Sequence, residues 1–376
     1  MNIKIQLPED VKYIINKLYE TGEEAFAVGG SVRDALMGKT PKDWDICTSA
    51  EPHIVKKVFE HTADTGIKHG TVTVVLPGGT YEVTTYRIDG EYTDNRHPKK
   101  VRFVRSLEED LKRRDFTINA MAYNDFEGLK DFHGGTEDLK NKLLRCVGEP
   151  DKRFNEDALR IMRAVRFSAV LMFDIEPETA KSIRKNKKLL EDIAVERLSA
   201  ELFKLLESGG YDKTVTEYAD VLNVFLYDCN IEKTIGKPSN FRIFALFDNP
   251  NGKSAMKRLK FPNKTIADVL SVTQNTPPET LPEARRLYGK IGGMNLKNLL
   301  LYHGRSTETV DITEKENLCC VVKDLDIDGK QVIEITGKNG RETGQILNML
   351  LDAVIDNKIK NEYAELKAYI LKRKEK

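Results

Sequence analysis

One change of hydrophobic period divides this chain and limits what it can fold into. Between about residues 25 and 135, short runs with the two-residue alternation of β-strands (residues 70–76, 81–87 and 101–105) are interleaved with helical stretches such as residues 10–20. Beyond Pro150 the helical period holds almost throughout, over residues 156–171, 178–191 and 195–206. The expected fold class is therefore an α/β N-terminal part, a mixed sheet with helices, followed by an all-α remainder. Breaks are expected at Gly209-Gly210, residues 237–240, residues 275–282 and Gly292-Gly293. The 376 residues suffice for several cores.

The chemistry is concentrated in residues 26–48, FAVGGSVRDALMGKTPKDWDICT. Successive strand residues alternate faces, so Asp43 and Asp45 would share one face and Trp44 the other. Two such carboxylates can share divalent cations, and hard Mg²⁺ favours carboxylate oxygens plus substrate phosphates. Gly29 and Gly30 let backbone amides approach a phosphate, the helix expected over residues 31–37 favours anions at its start, and Arg33 adds a fixed cation. Taken singly, a Gly-Gly pair is also a plain turn and a DxD a solvated strand end. In this order and spacing they point to phosphoryl transfer.

Gly29, Gly30, Arg33, Asp34, Gly38, Pro41, Asp43 and Asp45 closely resemble the first motif of the class II tRNA nucleotidyltransferase and bacterial poly(A) polymerase family. Arg113-Arg114-Asp115-Phe116-Thr117-Ile118-Asn119-Ala120 resembles its RRDFTxNA motif, and Glu156-Asp157-xx-Arg160-xx-Arg163 its EDxxRxxR motif. Glu196-Arg197 resembles its later ER motif, with residues 131–135 a looser hinge match. The resemblance implies a polymerase-beta-like catalytic head over residues 1–145, a helical neck with a nucleotide-selecting helix over 146–208, a helical body over 209–292 and a helical tRNA-binding tail over 293–376. It implies addition and repair of the 3′-terminal CCA of tRNA from CTP and ATP. Asp43 and Asp45 would be the catalytic, Mg²⁺-binding pair, and Gly30, Arg33, Arg114, Asp157, Arg160, Arg163 and Arg166 the nucleotide-binding set. Addition of A alone, poly(A) synthesis, or a catalytically silent RNA-binding scaffold are the alternatives.

The EDxxR segment also carries its own physical logic. On a helix, residues three apart are neighbours, so Asp157 and Arg160 would set an acceptor beside donors. Cytosine and adenine each show an amino donor next to a ring-nitrogen acceptor, which this pair complements; uracil and guanine reverse the pattern. The plain alternative is an i,i+3 salt bridge on a solvated helix. Three-residue steps precess by about 60°, so Asp157 and Arg166 cannot face one base, and Arg163 and Arg166 are expected to meet phosphates or hold the neck against the head. Arg114 would act from the head, with Asp115 orienting it or Arg113. Strand alternation over residues 81–87 makes Glu82 either a third acidic group beside the aspartates or a solvated edge residue. Residues 89–100, rich in Gly, Asp, Asn, Arg and Pro, have the composition of a mobile loop joining two strands; by resemblance, an intact loop there argues against an enzyme that adds only C.

Other signals narrow the reading. Formal charge is only +1, so any RNA contact must use local basic surface. Five cysteines without CxxC spacing suit reduced thiols in the cytoplasm, and no apolar run reaches the roughly 18 residues that span a bilayer. Asp324, Asp326 and Asp328 start like an EF-hand loop, but its twelfth position is Ile335, so calcium is not expected. Residues 337–344 lead into an apolar-periodic helix through Ile355, similar to the tail of bacterial CCA-adding enzymes. Oligomeric state does not follow from the residues, and a homodimer stays open.

Overall fold

The computed structural model describes residues 4–90 and 101–374. In α1 (Glu9–Glu20) the buried residues Val11, Ile14, Ile15 and Leu18 fall at i, i+3, i+4 and i+7, the stripe that a helix lays on a sheet. β1 (Ala25–Val28), the strand beneath, is buried on both faces. Then follow α2 (Gly30–Leu36), β2 (Asp45–Thr48), α3 (Pro52–Val58), β3 (Thr62–Gly66), β4 (Thr71–Leu76), β5 (Gly79–Thr85), β6 (Arg87–Asp89), β7 (Val101–Phe103), α4 (Leu107–Lys112), β8 (Met121–Asn124), β9 (Gly128–Asp131) and α5 (Gly135–Lys140).

The main sheet runs β3-β4-β5-β2-β1-β8-β9. It is mixed, because β2 pairs with β5 in parallel and with β1 antiparallel. Strand alternation divides its side chains between two cores. Ala25, Ala27, Ile46, Val72 and Val83 face α1 and α3, while Phe26, Val28, Cys47 and Tyr86 pack with Leu107 and Leu111 of α4. β6 and β7 form a separate antiparallel pair. Residues 91–100 of the expected loop between them lie outside the described residues.

The helical remainder of this unit consists of α6 (Pro150–Glu156), α7 (Leu159–Leu171), α8 (Pro177–Asn186), α9 (Val195–Leu206) and α10 (Tyr211–Leu226). The expected unbroken helix over residues 156–171 is corrected: the backbone is extended at Asp157 (φ −141°, ψ 99°), which separates α6 from α7. The Asp157 carboxylate accepts the backbone N–H of Leu159 at 3.2 Å, so it caps the start of α7 instead of sitting within a helix.

The chain divides into two compact units, Met1–Tyr227 and Asp228–Lys376. The second is helical: α11 (Ser239–Phe247), α12 (Gly252–Arg258), α13 (Asn263–Thr273), α14 (Leu281–Ile291), α15 (Gly293–Tyr302), α16 (Glu308–Lys315), α17 (Gly329–Thr336), α18 (Arg341–Ile355) and α19 (Tyr363–Lys374). Its helices break at 275–280 and at Gly292, as expected. Arg285, 3% exposed, ties its segments together by donating to the carbonyls of Cys319, Val354 and Ile355. Asp324 and Asp328, the first and third acids of the EF-hand-like run, accept backbone N–H groups, Asp324 at a short helical turn and Asp328 as the cap of α17.

Candidate active site

β1 ends at Val28 opposite Asp45, the first residue of β2. The turn after β1 therefore lies beside the carboxylate that opens the next strand. Gly29 has φ +81°, and a Cβ there would meet Nη1 of Arg114 at 3.2 Å and the Asn119 carbonyl oxygen at 3.7 Å. The positive φ favours glycine, and a side chain there would press on the Arg114 guanidinium. α2 starts at Gly30 and brings Arg33 over the same opening, where its Nη1 donates to Oδ1 of Asn119 at 2.5 Å and its Nε to Asp34 at 2.9 Å.

Trp44 is 8% exposed and turned into the α1 core, while Asp43 and Asp45 on either side are exposed, the expected alternation, although β2 begins only at Asp45. Neither aspartate has a hydrogen-bond or ion-pair partner among the described residues. Loss of solvation raises the Asp45 carboxyl above its ordinary value; Arg114 opposes the rise and Asp43 adds to it. Two unpartnered, mutually repelling carboxylates are a donor set that fits a hard divalent cation. Glu82 is exposed on β5, one step from the Val83–Ile46 pair and so beside Asp45 in register. Among the described residues, no three His, Cys, Asp or Glu side chains are grouped closely enough to hold a metal, so Glu82 does not complete a three-carboxylate cluster.

The arginines come from two further segments. Asp110 in α4 is fully buried and carries both Arg113 (2.7 Å) and Arg114 (3.2 Å). Burial works against its charge, but the two guanidiniums overcome it and hold the carboxyl below its ordinary value. Asp115, expected to orient Arg113 or Arg114, instead receives Nε and Nη2 of Arg163 from α7 at 3.0 and 2.7 Å. Burial again opposes ionisation, and Arg163 nevertheless draws this carboxyl down to about 2. Arg160 reaches back from α7 to the carbonyl of Arg113 at 2.9 Å and pairs with Glu156 at 3.1 Å.

These groups enclose a cleft of about 400 Å³. Gly29, Gly30, Arg33, Asp45, Arg114, Arg160 and Arg163 line it, together with Arg113, Asp115, Asn119 and Phe167, which were not among the expected site residues. Five arginines against two aspartates make the wall cationic, as a nucleoside triphosphate requires. Larger crevices, one of about 510 Å³ beside His133 and Lys185 and one of about 1130 Å³ along residues 4–6, gather none of the expected catalytic or nucleotide-binding residues.

Asp157 and Arg166 stand apart from the cleft wall. The Asp157 carboxylate meets Nη2 of Arg197 at 3.2 Å, not Arg160. Arg166 is 7% exposed, ion-paired with Glu201 of α9 and seated 3.7 Å over the Phe167 ring. The expectation that Arg163 holds neck to head agrees with its bond to Asp115, whereas Arg166 secures α7 to α9.

Comparison with known proteins agrees with this geometry. Residues 25–145 match the Poly A polymerase head domain family, and residues 172–220 the family described as the probable RNA and SrmB-binding site of polymerase A. A CCA-adding enzyme of Ligilactobacillus salivarius is 38% identical, with 96% of this chain and 83% of that protein covered. A CCA-adding enzyme of Streptococcus pneumoniae is 38% identical over 96% of both. The crystal structure of the Bacillus stearothermophilus CCA-adding enzyme in complex with CTP superposes with a TM-score of 0.84 at 32% identity, covering 98% of each chain. Identity at this level over nearly the full length of such relatives, together with the glycine turn, aspartate pair and arginine-lined cleft, means that the chain belongs to the CCA-adding enzyme family of nucleotidyltransferases.

Proposed function

We propose that this chain is a template-independent tRNA nucleotidyltransferase that completes and repairs 3′-terminal CCA from CTP and ATP, releasing pyrophosphate. The observation that carries the reading is the convergence on one cleft of the Gly29-Gly30 turn, Asp45, and arginines from α2, the segment after α4, and α7. Gly30, Arg33 and Arg114 would hold the triphosphate, their N–H groups directed at oxygens on which charge accumulates in the transition state. Asp43 and Asp45 would hold Mg²⁺. When bound, that ion would favour the deprotonated RNA 3′-hydroxyl and stabilise charge on the departing pyrophosphate.

Base choice falls to Asp157 and Arg160, whose acceptor and donors complement cytosine and adenine. Arg197 holds the Asp157 carboxylate at the head of α7 until a base exchanges with it. Arg163 and Arg166 would complete the nucleotide-binding set by fixing the frame around the phosphates. Residues 1–145 would act as head, 146–208 as neck, 209–292 as body and 293–376 as the tail that meets tRNA. No described helix is long and apolar enough to cross a membrane, and all five cysteines are free thiols. Both suit work on tRNA in the cytoplasm. Light scattering would separate a monomer from a homodimer.

The test is incubation with Mg²⁺ and tRNA transcripts ending before CCA, after C and after CC, with CTP and ATP supplied separately and together. Completion of all three, stopping after A, is expected. Extension of only the CC-ended transcript would make this an A-adding enzyme, long adenosine tails a poly(A) polymerase, and no incorporation an RNA-binding scaffold.

A further inference from the structure

Phe167 lies in α7, 8% exposed, with its ring in the wall of the cleft. Three guanidinium groups surround that ring: Arg166 at 3.7 Å, Arg163 at 5.1 Å and Arg33 at 5.4 Å from its centroid. Arg33 comes from α2 beside the sheet and the other two from α7, so the ring stands where the two halves of the cleft meet. Its own position is fixed from the sheet side by Phe116, edge-on at 5.8 Å and 79°.

Like charges this close repel, and each has a carboxylate of its own: Asp34 for Arg33, Asp115 for Arg163, Glu201 for Arg166. A fourth carboxylate at position 167 would also attract them, but it would occupy N–H donors and repel a triphosphate. An aromatic ring avoids both problems. Its quadrupole attracts guanidinium groups through its face and takes none of the in-plane hydrogens that a phosphate needs.

We propose that Phe167 is a positioning residue for nucleotide binding, an aromatic spacer that holds Arg33 and Arg163 at the separation the triphosphate requires. The inference rests on the reading of the cleft as the nucleotide site. It predicts a defect in nucleotide KM rather than in kcat, equal for CTP and ATP because the ring acts through phosphate-binding groups and not through the base.

The experiment compares full-length wild-type protein with Phe167→Leu and Phe167→Tyr in steady-state CMP and AMP addition. Phe167→Leu is expected to raise KM for both nucleotides about five- to thirtyfold, the loss of one or two partly desolvated cation–π contacts, with kcat and the KM for tRNA within about twofold. Phe167→Tyr keeps the ring and is expected to restore KM to within about threefold of wild type. Unchanged nucleotide KM in Phe167→Leu, a loss confined to kcat, or a Phe167→Tyr defect as large as that of Phe167→Leu would overturn the proposal. If Phe167→Leu fails to fold, replacing the ring with its pentafluorophenyl counterpart keeps the shape while inverting the quadrupole, and a wild-type KM there overturns it equally. Failure of the underlying site reading looks different: the wild-type protein itself would add neither nucleotide.

Discussion

Replacing Asp115 with asparagine removes the charge that joins the sheet-bearing part of the first unit to α7, at almost constant volume. The folded pKa of Asp115 is about 2 against an ordinary 3.8, which corresponds to about 2.5 kcal/mol of stability at neutral pH. The side chain is 11% exposed and that of Arg163 31%, so solvent screening removes only part of this. Glu201, 3.8 Å from Arg163, remains as a partial counter-charge, and we expect Asp115→Asn to cost about 2 kcal/mol at pH 7. The sign with pH follows from the depressed value. The contribution is complete above the unfolded pKa and is lost as pH falls toward 2, with about 1 kcal/mol already gone at pH 3. The only tryptophan of the chain, Trp44, is buried in the core of the first unit, so urea unfolding followed by its fluorescence reports on this unit. The gap between wild type and variant should be near its full size at pH 7 and pH 5 and narrow at pH 3. A gap below about 0.5 kcal/mol at pH 7, or one that does not change with pH, would refute the reasoning.

Asp43→Ala should lower nucleotide addition about a thousandfold or more while the melting temperature stays within about 2 °C, because it removes charge from the site without removing a buried contact; near-normal turnover at saturating Mg²⁺ would sink the metal assignment. Asp157→Ala should weaken exclusion of UTP and GTP by about tenfold or more, and Arg197→Met by less, since it frees the carboxylate without deleting it; selectivity assays with all four nucleotides decide, and undiminished exclusion of UTP in Asp157→Ala would remove the base-reading role. Arg285→Met should destabilise the second unit by about 2–4 kcal/mol, because carbonyls of Cys319, Val354 and Ile355 lose a buried donor; amide exchange in α18 would speed accordingly, and wild-type protection there would contradict it.

Local chemistry was legible in the sequence where neighbours in the chain decide the outcome. Trp44 turns inward between two exposed aspartates, the alternation expected of the segment although β2 itself begins only at Asp45, and Gly209-Gly210 and Gly292 break helices where expected. Two further local signals lie in the sequence. Asp110 lies three and four residues before Arg113 and Arg114, the helical spacing for an ion pair, and the structure pairs it with both, in a buried cluster and not on the surface. Asp157 precedes the largely apolar segment Leu159-Arg160-Ile161-Met162, the pattern of a capping aspartate at a helix start, and that local signal outweighs the helical period running through it.

The remaining partners, Asp115 for Arg163, Arg197 for Asp157, Glu201 for Arg166 and Asn119 for Arg33, lie 35 to 86 residues from the groups they hold. No period or spacing connects residues so far apart. What they share is a functional requirement. An arginine that is to bind phosphate must be held still before the substrate arrives, but not through all of its donors. Arg163 shows the solution, with Nε and Nη2 on Asp115 and Nη1 in a looser 3.8 Å pair with Glu201. In the role proposed for it, Phe167 would extend this, since an aromatic ring takes up none of the N–H donors that another carboxylate would consume. The motif residues alone therefore do not make the cleft. In the proposed site their distant partners set how many donors each cation would keep for a nucleotide, and those partners are where substitutions should alter nucleotide affinity without touching the nucleotide.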